Sequence, residues 1–221
     1  MGAFAVIDTE TNWHDRVMSI GTVVADSDTF AVLDEKYHVL VPETAVGGMY
    51  DGVLFLEEAG HPILCTRKQA MEDLIVWFRQ LGVRDIFAYN AAFDRNHLPE
   101  FSRLRWHDIM RLAAYRQHNR AIPRGAECFS TGRLKRGYGV EPMLRLLSGD
   151  CTYRESHNAI LDARDELEIM RLLGYPIGAY EVMYKRRVRR PSSACQKSPF
   201  AAKAPSGRGL ARRKPWLGER V

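Results

Sequence analysis

The run FAVIDTET, Phe4 to Thr11, ends in two carboxylates one residue apart. Side chains of a strand alternate between faces, so Asp8 and Glu10 project from the same side. Like charges placed side by side repel. The pair therefore needs a positive group between its members, or open water around both. Two further acids lie where a fold can carry them to that pair. Asp94 stands in YNAAFDRNHL (89–98), one turn into a helix that leaves a strand end. Asp162 stands in SHNAILDARDE (156–166), off the helical stripe formed by Ile160, Ala163, Leu167 and Met170. Taken singly these acids are ordinary. A wet strand end, a helix dipole or a surface ion pair explains each of them. Taken together and in this order they offer oxygen ligands for two Mg²⁺ or Mn²⁺ ions. Such ions, about 3.5–4 Å apart, hold the attacking and the leaving oxygen of a phosphodiester.

The elements that must carry these acids are readable in part. Residues 3–8, 17–25 and 30–41 read as strands, the last two joined by the polar turn DSDT, which makes an antiparallel meander. Residues 42–65 form a long excursion with no readable role. Residues 66–82 read as a helix, with Thr66 and Gln69 as a capping box and Gly82 as a left-handed stop. Residues 85–89 return as a short buried strand. Asn90 is positioned to cap the next helix, which Pro99 limits. A helix over 108–118 with Asp108 as N-cap is expected, then a loop rich in Gly and Arg, then a short helix near 141–148. The last helix is expected over 156–174, from Ser156 to Gly174. Strands first, then helices interleaved with a strand, predict an α/β domain with a mixed sheet.

The totals set limits. In 221 residues, a hydrophobic fraction of 46% supports a sizeable core. No apolar run is long enough for a membrane span, and no secretory leader is expected from the first residues. Cys65, Cys128, Cys151 and Cys195 are scattered without a CxxC pair, which argues against a disulfide framework or structural zinc and fits a reducing cytoplasm. The net charge of +5 conceals an asymmetry. Residues 185–221 hold 12 Lys and Arg against Glu219 alone, +11, which leaves −6 for residues 1–184. The expected organisation is a folded domain over 1–180 and a basic, disordered tail over 181–221. The tail is either an electrostatic arm for nucleic acid or a solvated end.

Three motifs in this order resemble the DEDDh family of 3′–5′ exonucleases, the group of the proofreading epsilon subunit of DNA polymerase III and RNase T. VIDTET matches the family's first motif, NAAFDRNHL its second (NxxFDxxxL), and HNAILDA its third (HxxxxDA). The likeness covers residues 6 to 163 and leaves out the tail. It implies an RNase H-like mixed sheet, an antiparallel meander plus parallel strands, flanked by helices. It also implies a metal-dependent exonuclease acting on the 3′ ends of single-stranded DNA or RNA, with DNA proofreading or repair favoured. In the related DEDDy branch a Tyr stands four residues before the last Asp. Here that position is Asn158 and His157 stands five before, so the His branch is indicated. By the resemblance Asp8 bridges two divalent ions. Glu10 and Asp162 complete the one on the nucleophile side, Asp94 supports the other, and His157 takes a proton from the attacking water. An imidazole suits that work because it ordinarily titrates near neutrality. Five residues separate His157 from Asp162, about 140° around an ideal helix, so His157 must reach in from the helix start or a loop.

Substrate contacts implied by the family follow the first motif, at Thr11, Asn12 and Trp13. Trp13 can stack on a base or pack on the domain surface. The family's proofreading members often carry Thr-Gly there, which this chain replaces by Thr11-Asn12. Asn90 and Phe93 are the other candidate substrate contacts. Arg133, Lys135 and Arg136 in GRLKRGYG (132–139) suit phosphates or plain solvation. His97, one turn beyond Asp94, is a weaker candidate base. The alternative function is a nuclease-like module that binds nucleic acid or docks on a polymerase with little or no catalysis. A third possibility, acids that serve only solubility, leaves the order of the motifs unexplained.

Overall fold

The computed structural model describes residues 2–180, so the expected basic tail lies outside the described residues. Six strands form one sheet in the order β4-β3-β2-β1-β5-β6. They are β1 Ala3–Thr11, β2 Val17–Asp26, β3 Val32–Leu40, β4 Ile63–Cys65, β5 Asp85–Ala88 and β6 Arg105–Asp108. β1, β2 and β3 are the antiparallel meander, while β5 lies parallel to β1, β6 to β5 and β4 to β3. The expected mixed sheet is therefore present. The helices are α1 Val41–Thr44, α2 Arg67–Leu81, α3 Ala92–His97, α4 Met110–Ala113, α5 Val140–Ser148 and α6 Ala159–Leu173.

β1 is apolar on both faces because both are covered. Phe4 and Val6 enter one core with residues of α5 and α6, and Ala5 and Ile7 enter the other with residues of α2. α2 begins at the expected capping box of Thr66 and Gln69 and ends at Gly82 in left-handed conformation.

Three expectations fail, each for a local reason. Asp108 closes β6 instead of being the N-cap of the helix expected over 108–118. The polar residues of β6 are held by specific partners: His107 Nε2 meets Asp85 Oδ1 at 2.8 Å and Nδ1 meets the Tyr180 carbonyl at 3.0 Å. The helix itself lasts only from Met110 to Ala113, since buried Asn119 donates to the Ala113 carbonyl at 2.7 Å. Asn90 caps nothing. α3 starts at Ala92 with no side-chain cap, and Asn90 takes a left-handed turn, φ 60°, a conformation Asn tolerates well. The last helix starts at Ala159 rather than Ser156, because the Asn158 side chain caps it by accepting from the Ile160 N–H. β4 lies inside the 42–65 excursion, too short to carry a periodic signal.

Candidate active site

The face of β1 that carries Phe4 and Val6 also carries Asp8 and Glu10, and α6 covers it. Opposite Asp8 in β2 lies Gly21. A Cβ there would overlap the Ala159 carbonyl, so the first turn of α6 rests directly on the sheet beside Asp8. That seating brings Asp162 over the end of β1, with only 3% of it exposed. It is buried although it stands off the stripe of Ile160, Ala163, Leu167 and Met170. Asp94 arrives from α3, 1% exposed, and its Oδ1 accepts a 2.8 Å hydrogen bond from Thr9, the residue between the two acids of β1.

His157 precedes α6 on left-handed backbone, φ 56°. Helical geometry would turn it away from Asp162, and this turn brings it back. Its ring lies stacked on Tyr50, centroids 4.2 Å apart and planes 20° apart. Ligand atoms of Glu10, His157 and Asp162 all lie within 4.8 Å of one another, close enough to share one metal ion. Asn158 anchors this turn. Its Nδ2 donates to the Val53 carbonyl at 2.7 Å and to the Tyr37 hydroxyl at 3.2 Å.

Electrostatics mark the same place. Burial, then Asp94, Glu166, Asp162 and Glu10, hold the Asp8 carboxyl well above its ordinary range. Burial, then Asp94 and Glu155, push Glu10 up to about 8. Burial, then Glu155, Glu10 and Asp165, push Asp162 up to about 8. Burial raises Asp94 to about 7 against the opposing Thr9 hydrogen bond. The charged groups that weigh on Asp8, Glu10 and Asp162 are all carboxylates, so repulsion is uncompensated by protein. Asp8 Oδ2 is buried with no hydrogen-bond partner. An oxygen-rich donor set with an orphaned oxygen fits hard divalent cations.

The softer candidates separate. Thr11 is half-buried at the end of β1. Asn12 is spent on its own loop: Oδ1 accepts from His14 and Arg16 N–H groups, and Nδ2 donates to the Glu43 carbonyl. That accounts for Asn in place of the family's Gly, and it leaves Asn12 shaping the loop rather than open to a ligand. Trp13 stands 65% exposed just beyond it, and Phe93 is 40% exposed. Asn90 is exposed. The Arg133 guanidinium lies over the rings of Phe129 and Tyr138, 4.9 Å from each centroid. His97 has both ring nitrogens engaged, with the Phe93 carbonyl at 2.9 Å and Asp15 at 3.0 Å, so neither is open to an attacking water, although its charge acts on Asp94.

Two residues that adjoin the candidate site were missed in the sequence. Tyr50 belongs to the 42–65 excursion, where no periodicity singled it out. Glu166 is 1% exposed, one helical turn beyond Asp162. The i, i+4 spacing of the two acids on a helix with a buried stripe is the one sequence signal that could have found it.

No family model and no curated protein matches the sequence. Solved structures do match. The nuclease domain of 3′hExo, a DEDDh family member bound to rAMP, superposes with a TM-score of 0.54 at 17% identity, over 78% of this chain and 92% of that one. A full-length 3′-exonuclease matches with a TM-score of 0.53 at 17% identity, over 78% of this chain and 60% of that one. A 3′-exonuclease in 3′-end specific recognition of histone mRNA stem-loop matches at 0.52 and 16%, over 77% and 63%. This chain thus spans under two thirds of the latter two. The order of strands, the helices on both faces and these superpositions together give the chain the fold of a DEDDh-family 3′-exonuclease nuclease domain.

Proposed function

We propose that this protein is a metal-dependent 3′–5′ exonuclease that hydrolyses the terminal phosphodiester of single-stranded nucleic acid. The observation that carries this reading is the meeting of three distant segments at one sheet end: Glu10 from β1, and His157 and Asp162 from the start of α6, lie within 4.8 Å of one another, with Asp8 and Asp94 adjoining them. Asp8, Glu10, Asp94 and Asp162 would hold Mg²⁺ or Mn²⁺. When bound, such ions supply the positive charge this cluster lacks and polarise the phosphate and the attacking water. His157, stacked on Tyr50, would serve as the base that accepts a proton from the attacking water. Trp13 and Phe93 offer exposed rings on which terminal bases stack, and Thr11 and Asn90 adjoin them in sequence. The thiols of Cys65, Cys128 and Cys151 are free, which suits a reducing, cytoplasmic setting.

A gel assay tests this with 5′-labelled single-stranded DNA and RNA of one sequence. Each is run with Mg²⁺, Mn²⁺ or EDTA, and with Asp8→Ala. The expected result is a metal-dependent ladder that shortens from the 3′ end and vanishes in the variant. Its relative rates rank DNA against RNA. Intact binding of both strands without a ladder in any metal would replace the enzyme by a nucleic-acid-binding module.

A further inference from the structure

We infer that Glu166 is a fifth carboxylate of the divalent-cation site, on the side shared by Asp8 and Asp94. This rests on the metal-centre reading above and adds a residue that the three motifs do not contain.

Glu166 sits on α6 four residues beyond Asp162, so both side chains lie on the same helix face. Acids at this spacing repel one another, and burial sharpens the cost. Yet Glu166 is 1% exposed, within a stretch where Ala163, Leu167 and Met170 are apolar and packed. The backbone N–H of Tyr89, just past β5, serves its carboxylate. Oε2 is buried with no partner, as is Asp8 Oδ2. The groups that act on it are acids: Asp94 foremost, then Asp162 and Glu155. Asp94 and then Glu166 are in turn the carboxylates that weigh most on Asp8.

The site therefore has two sides. Glu10, His157 and Asp162 converge on one. On the other, Asp94 and Glu166 act electrostatically on Asp8 and Asp94 acts on Glu166, and Asp8 Oδ2 and Glu166 Oε2 are both orphaned. An apolar residue at 166 would fill the helix face without cost. A buried glutamate with an unpartnered oxygen is what a cation ligand, direct or through one water, requires.

The test titrates Mn²⁺ into the full chain, with free Mn²⁺ read by electron paramagnetic resonance. Wild type is compared with Glu166→Gln, Glu166→Met and Asp8→Asn. Gln keeps an acceptor for the Tyr89 amide, and Met keeps the volume alone. The expected result is Mn²⁺ binding by wild type, and affinity weakened on the order of ten- to a hundredfold in both Glu166 variants. Melting temperatures without metal should be at or above wild type. Wild-type affinity and stoichiometry in a folded Glu166→Gln or Glu166→Met chain, with binding lost in Asp8→Asn, would overturn the inference and leave the metal centre standing. Absence of Mn²⁺ binding by wild type would overturn both. A further reading needs no change at 166. In Glu10→Gln chain with ¹³C-labelled glutamate carboxylates, Mg²⁺ should still shift a buried glutamate carboxylate band in the infrared difference spectrum, and a spectrum without that shift overturns the inference.

Discussion

The Ala159 carbonyl occupies the space where Gly21 would carry a side chain. Gly21 is the cross-strand partner of Asp8, and Ala159 is the first residue of α6. One missing methyl group thus sets the height of a helix above the sheet, and with it the distance from Asp162 and His157 to the acids of β1. Gly21→Ala should lift that first turn. The overlap involves backbone atoms, which cannot swing aside. Overpacking of this kind costs about 1–3 kcal/mol, a melting shift on the order of 5 °C for a domain of this size. Nuclease activity should fall further than stability at the assay temperature accounts for, although no acid has changed. An Ala variant that melts and cuts like wild type would show that α6 is seated by other contacts.

The raised carboxyls imply a pH dependence of stability in the absence of metal. Glu10 and Asp162 are pushed to about 8 and Asp94 to about 7, each above its ordinary carboxylate value. A group whose pKa is raised on folding holds its proton more tightly in the folded state. Its contribution is full below the unfolded pKa and is lost as pH rises through the folded one. Stability in EDTA should therefore decline toward pH 8. Buried His38 acts in the opposite sense, because burial lowers its pKa and its contribution is lost as pH falls below the ordinary histidine range. The interval from about pH 6.5 to 8.5 isolates the carboxyls. Melting curves there should slope downward in EDTA, flatten in excess Mg²⁺ and slope less steeply in Asp162→Asn without metal, where Glu10 and Asp94 still titrate. A level curve in EDTA would contradict the shifts.

The site was largely legible in the sequence because its parts obey local rules. Period-two alternation put Asp8 and Glu10 on one face, and the motif spacing around Asp94 and Asp162 survived whatever lies between them. α2 was legible from its capping box and its glycine stop. What escaped depended on distant partners. β6 is a strand because Asp85, Tyr180 and Asn90 serve its polar groups, and none of these is adjacent in the chain. Tyr50 became part of the site only when Asn158 tied the excursion to the start of α6. Glu166 was masked by its neighbourhood, since ARDE looks like a surface ion-pair segment and Arg164 does pair with Glu35. Asn12 has the right address for a substrate contact, but the hydrogen bonds of its side chain are visible only in three dimensions.

Tyr50 should matter through its ring. It stacks on His157 at 4.2 Å, whereas no hydrogen bond from its hydroxyl is needed for that contact. His157→Ala should lower turnover by about 10²–10⁴, the usual worth of a positioned base, while Mn²⁺ still raises the melting temperature. Tyr50→Phe should keep most of the wild-type rate and Tyr50→Ala should lose about tenfold or more, by freeing the imidazole from its plane. Equal rates in the Phe and Ala variants would remove Tyr50 from the positioning of His157.

Trp13 offers the sharpest separation of binding from chemistry. It stands 65% exposed beside Gly47, and its backbone N–H is held by the Gly47 carbonyl at 3.0 Å. The loop is thus fixed while the indole remains open, and Asn12 braces it from below through Glu43. A ring held in this way loses little freedom when a base stacks on it, so its contribution should fall on affinity. Base–aromatic stacking is worth about 1–3 kcal/mol. Trp13→Ala should therefore raise KM for a single strand by at least about fivefold with kcat nearly unchanged, and Trp13→Phe should recover much of the loss. Neither substitution should alter the melting temperature, because the side chain is exposed. A fall in kcat at constant KM would instead place Trp13 among the residues that align the terminal phosphate.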